Sequence, residues 1–251
     1  MFSTKRSILL AISVAITSLM SGAAQAQDKS MRVSWAPSYG GSCEGCDLRG
    51  RNMSGWDISN ANYPKADISS ALLRGTRAHN VNFSSATAKG TDFRQAVLDG
   101  SGFSEARMSG ARFDRASLIN CNLTSANMTG ARLRRAKLNG ATVKGTNLSD
   151  TYAAGADFSG ANLSVAIFDK ADLKGAHFSN AVIVGTSFKG ANLVGANFSK
   201  VQLVDVDFSG ATGLESATFD GACIGSLDLV PKGISLEACS AREETQIVST
   251  R

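Results

Sequence analysis

The chain has 251 residues, with 26 Lys and Arg, 21 Asp and Glu, 2 His and a formal net charge of +5. That mild excess falls short of the charge density of a nucleic-acid binder, so no specific nucleic-acid partner is expected. Charged residues make up 19% of the chain against a typical quarter, so Asn, Ser, Thr and Gly must cover much of the surface.

The chain opens MFSTKRSILLAISVAITSLMSGAAQAQDKS. Lys5 and Arg6 make a basic start, Ser7–Met20 is mostly apolar, and Ala24-Gln25-Ala26 is a small-x-small cleavage site, so residues 1–26 are expected to be a secretory signal peptide. The apolar stretch is too short to span a bilayer and no later one is longer, so an integral membrane protein is not expected. Lys-Arg in place of Arg-Arg argues against twin-arginine export. Cleavage would leave Gln27–Arg251, a soluble chain of formal charge +3 once Lys5 and Arg6 are removed. The expected location is the periplasm by default, or the extracellular medium.

Residues 27–45 form an expected N-terminal cap segment, with Trp35 placed to cover the start of the solenoid at Cys46. From Cys46 to Gly210 a five-residue register never slips, giving 33 consecutive pentapeptides in 165 residues. The central residue is Leu, Ile, Met, Phe or Tyr in 29 of them, and two places earlier stands Ala in 20. Asn or Asp lies between the two in 16, and the last place is Gly in 16.

Five fits neither the 3.6 of a helix nor the 2 of a strand. Two inward positions flanking one outward position make a short extended segment, and the remaining two residues have the composition of a turn. Each pentapeptide is therefore one side plus one corner. Such sides bury their apolar residues only by winding round an axis and stacking coil on coil.

This pattern resembles the pentapeptide-repeat family, whose consensus is A-(D/N)-L-x-x, over about two-thirds of the chain. The resemblance implies an all-β fold, a right-handed quadrilateral β-helix of about eight coils, with residue n above residue n−20. The solenoid is expected over 46–230, with a register shift near 211–216 in "ATGLESATFDGA", and a C-terminal cap and polar tail over 231–251. That stacking predicts core columns, including Phe158, Phe178 and Phe198 on one side and Phe168, Phe188 and Phe208 on another. Ala78 and Ala88 are too small for their columns, so a loose or bulged coil is expected there. Trp56, at an alanine position, is expected to close the first coil.

Five cysteines in an exported chain suggest disulfides. Cys121 sits at an alanine position and reads as a small core residue. Cys43 and Cys46 lie at one end of the rod and Cys223 and Cys239 at the other, so only Cys43–Cys46 and Cys223–Cys239 are within reach. "CEGC" also has the spacing of a redox pair or half a zinc site. The first lacks a thioredoxin-like context and the second lacks two further ligands.

No catalytic constellation stands apart from the repeat, His79 and His177 lie five coils apart, and a flat solenoid side lacks a concave pocket. Neither an enzyme nor a cofactor is expected. Folded four repeats to a coil, Arg94, Arg112, Arg115, Arg132, Arg134 and Arg135 gather on one face, diluted only by Asp92 and Asp114. They form a candidate surface for an anionic partner, although Asp92 and Asp114 also make an ordinary solvated face of them. Val165, Ile167, Val182, Val184 and Val204 form a candidate apolar interface for self-association through the C-terminal half.

The expected function is a non-enzymatic structural or protein-interaction module, a rigid rod offering flat faces to an unidentified protein or an anionic envelope component. The family suggests a second reading, since some members resemble B-DNA, bind DNA gyrase and protect it from quinolones. That role needs an acidic surface and a cytoplasmic address, both opposed here by the basic excess and the export signal. A redox protein using Cys43 and Cys46 is a third.

Overall fold

A computed structural model describes residues 41–225, 234 and 236–239. The expected signal peptide, Trp35 and the tail REETQIVSTR lie outside these residues. The chain forms a right-handed quadrilateral β-helix with 20 residues to a coil. Parallel bridges join the outward second residue of a pentapeptide to the one 20 places on, from Ser42↔Asn62 to Asn192↔Thr212. The four sides are numbered faces 1 to 4 by their first central residues, Leu48, Met53, Ile58 and Tyr63.

Each place in the pentapeptide has a physical reason. The fifth residue takes the left-handed conformation, as in Gly50 (φ 62°) and Gly100 (φ 71°), the third place of a type II turn. That turn is closed by a bond such as Arg51 N–H to the Leu48 carbonyl, 3.2 Å. Glycine adopts it without steric cost, yet 17 non-glycine residues are held there too.

The second place holds more than a solvated side chain. Its Asn or Asp Oδ1 accepts the backbone N–H two residues on, as from Ser54 to Asn52 (3.1 Å) and from Ser59 to Asp57 (3.0 Å). The first place faces the axis and is small. Buried Thr, Ser and Cys at this place donate to a central carbonyl, mostly that of the coil below: Thr76 to Met53, Thr91 to Ile68, Ser101 to Ala78 and Cys121 to Leu98. Cys121 is fully buried, and burial pushes its thiol up to about 12. Trp56 is partly buried and packs against the core.

Aromatic ladders run up the core. On face 3, Phe158, Phe178 and Phe198 stack at 5.3 and 4.7 Å, and Phe219 continues them at 5.2 Å. On face 1, Phe168, Phe188 and Phe208 stack at 5.2 and 5.3 Å. The two ladders meet edge to face across the axis, as Phe178 and Phe188 do at 5.6 Å.

A second set occupies the other two faces lower in the rod. Phe83 and Phe103 stack on face 4 at 5.1 Å, and Phe93 and Phe113 on face 2 at 4.8 Å. This corrects the expectation for Ala78 and Ala88, which share a coil with Phe83 and Phe93. Both alanines are buried and keep their ladder bonds, to Val97 (2.7 Å) and Arg107 (2.8 Å). Two rings on one diagonal fill the section that two alanines leave free on the other, so the coil has no bulge.

Near the C-terminus the pairing offset changes from 20 in Asn192↔Thr212 to 21 in Asn197↔Thr218. The extra residue is taken up by a 3-10 turn, Leu214–Ser216, entered through Gly213 at φ 80°. A Cβ on Gly213 would lie 2.4 Å from the Val194 side chain and 2.5 Å from its backbone nitrogen. Face 4 then ends in a four-stranded parallel sheet: β1 (Val182–Val184), β2 (Gln202–Val204), β3 (Cys223–Ile224) and β4 (Glu237–Ala238).

Two stability effects are expected. Phe178→Ala removes a ring stacked between Phe158 and Phe198 and should cost about 3–5 kcal/mol. Gly213→Ala forces backbone to move at a left-handed corner and should cost about 1–3 kcal/mol. Urea unfolding followed by far-ultraviolet circular dichroism measures both.

Candidate functional site

Three successive rungs of face 2 carry the arginines, in the pentapeptides TDFRQ, ARFDR and ARLRR from Thr91, Ala111 and Ala131. The structure brings all six expected residues, Arg94, Arg112, Arg115, Arg132, Arg134 and Arg135, to the lining of one groove of about 560 Å³. Arg74 and Gln95 join them, and Ala154 closes one end.

The two acids in this region orient part of the charge. Arg94 Nε donates to Asp92 Oδ1 at 2.7 Å and to Oδ2 at 3.0 Å. Asp92 is buried to 7% exposure, and the Arg94 bond holds its carboxyl below the ordinary carboxylate range despite the opposing effect of burial. Arg132 Nε lies 3.3 Å from Asp114 Oδ2, an ion-pair contact without hydrogen-bond geometry. Arg112, Arg115, Arg134 and Arg135 form no ion pair within 4 Å among the described residues. Arg112 Nε, Arg132 Nε and Asp114 Oδ1 are buried without a hydrogen-bond partner among the described residues. Burying such groups unmatched is costly, so the groove holds donors that no protein acceptor satisfies.

Seven arginines against two aspartates give this groove a local excess of five positive charges, equal to that of the whole chain. Two exposed residues that the arginine pattern did not single out frame it. Leu72 (43% exposed) and Tyr152 (50%) flank Asp92, Arg112 and Arg132 in one continuous column, which runs on to Asn52 below and Asp172 above. The signal was present in the 20-residue spacing of those outward positions.

The candidate apolar interface is only partly available. Val165 (51%) and Ile167 (38%) are exposed, and Val182 and Val204 are half-buried. Val184 is buried at 8% and is corrected out of the surface. Val184 continues β1 and pairs with Val204 of β2, and its side chain is covered although the corner still turns at Gly185, φ 62°. Val165 is a β-branched residue at φ 52°, and its Cγ1 lies 3.2 Å from where a Cβ on Gly185 would be.

The cysteines lie as two pairs and one single. Cys43 and Cys46 have Cα atoms 5.6 Å apart, and Cys223 and Cys239 have theirs 4.9 Å apart, both within the span a disulfide needs. His79 and His177 are exposed on face 3, five coils apart. Among the described residues no cluster of His, Cys, Asp or Glu is arranged to hold a metal ion, and no helix is long and apolar enough to cross a membrane.

Solved structures of similar shape include HetL, a pentapeptide repeat protein involved in heterocyst differentiation regulation from the cyanobacterium Nostoc sp. strain PCC 7120. It is 25% identical over 74% of this chain and 91% of its own, with a TM-score of 0.43. Full-length QnrB1, a plasmid-mediated fluoroquinolone resistance protein, is 17% identical over 83% of this chain and 98% of its own, with a TM-score of 0.50. At that identity the likeness to QnrB1 concerns the fold alone. No curated protein matches the chain. The Pentapeptide repeats family model matches 79–115, 111–150, 146–183 and 171–210, in eight copies. These segments run without a gap from 79 to 210, which is 132 of 251 residues, and with the four-sided coil they establish that the chain belongs to the pentapeptide-repeat family.

Proposed function

We propose that this chain is a non-enzymatic, exported binding module, a rigid rod whose face 2 groove takes up an anionic component of the cell envelope. The observation that carries this reading is the groove itself: seven arginines on neighbouring rungs, five of them without an ion pair among the described residues, and two guanidinium nitrogens buried without an acceptor. A fixed array of like charges on a stiff support attracts counter-charged partners and lacks any chemistry of its own. Export is supported by the residue pattern of 1–26, and the two cysteine pairs suit disulfides in an oxidising compartment. The gyrase-directed reading known from the family requires an acidic surface, and this groove has the opposite sign. Val165 and Ile167, with Val182 and Val204 beside them, remain the surface for a homodimer through the C-terminal half.

Two experiments test this. The exported chain should begin at Gln27, as read by N-terminal sequencing of the envelope fraction; an intact Met1 would overturn export. Mature protein should retain anionic envelope material at low salt and release it as screening rises. A variant with Arg112, Arg115, Arg132, Arg134 and Arg135 as serine should retain at least tenfold less while keeping the wild-type circular dichroism spectrum. Equal capture by both proteins would remove the groove from the function.

A further inference from the structure

We propose that the occupant of the groove is a linear polysaccharide bearing carboxylates, lying along the rod with one sugar per coil and a ring stacked on Tyr152. This inference rests on the anionic-partner reading and names its chemical class.

The geometry selects the ligand in three ways. First, the site is a ladder: Leu72, Asp92, Arg112, Arg132 and Tyr152 stand one above another by direct bridges, rising about 4.8 Å per coil. The groove therefore presents one set of donors per coil along a straight line. A linear ligand fits it only if its own repeat is close to that rise, which is near the advance of one pyranose unit in an extended chain. A stacked nucleic-acid strand advances about 3.4 Å per phosphate and falls out of step within a few rungs.

Second, every cation in the lining is arginine, although lysines occur elsewhere on the rod, at Lys137, Lys144 and Lys170. The planar guanidinium fork matches the two oxygens of a carboxylate, whereas an ammonium offers a point charge. Arg112 Nε and Arg132 Nε, adjacent rungs of one column, are the donors left without hydrogen-bond acceptors. Asp92 and Asp114 hold Arg94 and Arg132, and Arg115, Arg134 and Arg135 stay accessible beside them.

Third, the rung directly above Arg132 carries a half-exposed tyrosine beside the groove, and the next rung of the column is Asp172. A tyrosine in that position offers an apolar ring on which the C–H face of a sugar can stack. Nucleic-acid strands are held on several successive aromatic platforms, and this column has a single one.

The test uses mature protein and calorimetric titration with oligogalacturonates of increasing length, a neutral malto-oligosaccharide, a dextran sulfate oligosaccharide without carboxylates, and oligo-dT. Wild type should bind the oligogalacturonates, with affinity rising until about five units span Leu72 to Tyr152 and then levelling, and should ignore the neutral glycan. Tyr152→Ala should weaken that binding about tenfold, Tyr152→Phe should leave it unchanged, and the Arg132→Ser, Arg134→Ser pair should abolish it. Tyr152 is exposed, so its variants are expected to fold, and circular dichroism verifies this. If oligo-dT or dextran sulfate binds as tightly with no effect of Tyr152→Ala, the carboxylate-polysaccharide proposal fails while the anionic-partner reading stands. If none of the polyanions binds, both fail.

Discussion

The architecture depends on one backbone constraint, the left-handed residue at every fifth place. It bends the chain through a quarter turn after each three-residue side, and four such bends return the backbone to its starting direction one strand spacing higher. Glycine supplies that conformation freely, and lysine, serine and arginine residues such as Lys65, Ser85 and Arg115 are held in it by the ladder bonds on both sides. Because the bend recurs without a slip for over eight coils, sequence distance becomes spatial distance. Residues 20 apart are in contact, and nearly every other property of the rod is a statement about a column.

The columns divide the work between inside and outside. Inward places must fill a square section of fixed size, so their side chains compensate one another around each coil. Two phenylalanines on one diagonal accompany two small or aliphatic residues on the other, and the aromatic diagonal itself changes from faces 2 and 4 to faces 1 and 3 along the rod. Outward places carry no such obligation. The surface can therefore vary rung by rung while the core repeats, and seven arginines can gather on one face with no disturbance to the helix beneath.

The parts of the structure set by the period were legible in the sequence: the coil, the phenylalanine columns of faces 1 and 3, and the six arginines of one face. The parts set by cooperation between columns were not. Ala78 looks undersized when its own column is read alone, and only Phe83 and Phe93 on the neighbouring sides show why no void results. Val184 looks outward by its place in the pentapeptide, but it continues strand β1 and its side chain is covered. The role of outward Asn and Asp in holding the next N–H is likewise invisible in a hydropathy pattern, since the partner is backbone. Arg74 and Tyr152 were readable from the 20-residue spacing, but they stand at the edges of the patch and carry meaning only once the groove has a boundary.

That turn-holding role gives the arginine face its sharpest internal comparison. On the rung of Asp92, the second-place carboxylate accepts the Arg94 backbone N–H at 3.1 Å and also binds the Arg94 side chain. The next two rungs place Arg112 and Arg132 at the same position. Arginine has no acceptor to offer, so these rungs give up a bond that Asn or Asp makes elsewhere, a loss of about 0.5–1.5 kcal/mol each. In exchange the core gains nothing, because the second place points outward, and the two Nε groups end buried without hydrogen bonds. Asn or Asp is absent from this place in 17 of the 33 pentapeptides, and arginine also stands there at Arg77 and Arg107, so what distinguishes Arg112 and Arg132 is that their Nε groups are buried unmatched on neighbouring rungs beside the groove. In a solenoid the core explains the repeat, and function is to be sought where outward side chains are held at the expense of stability.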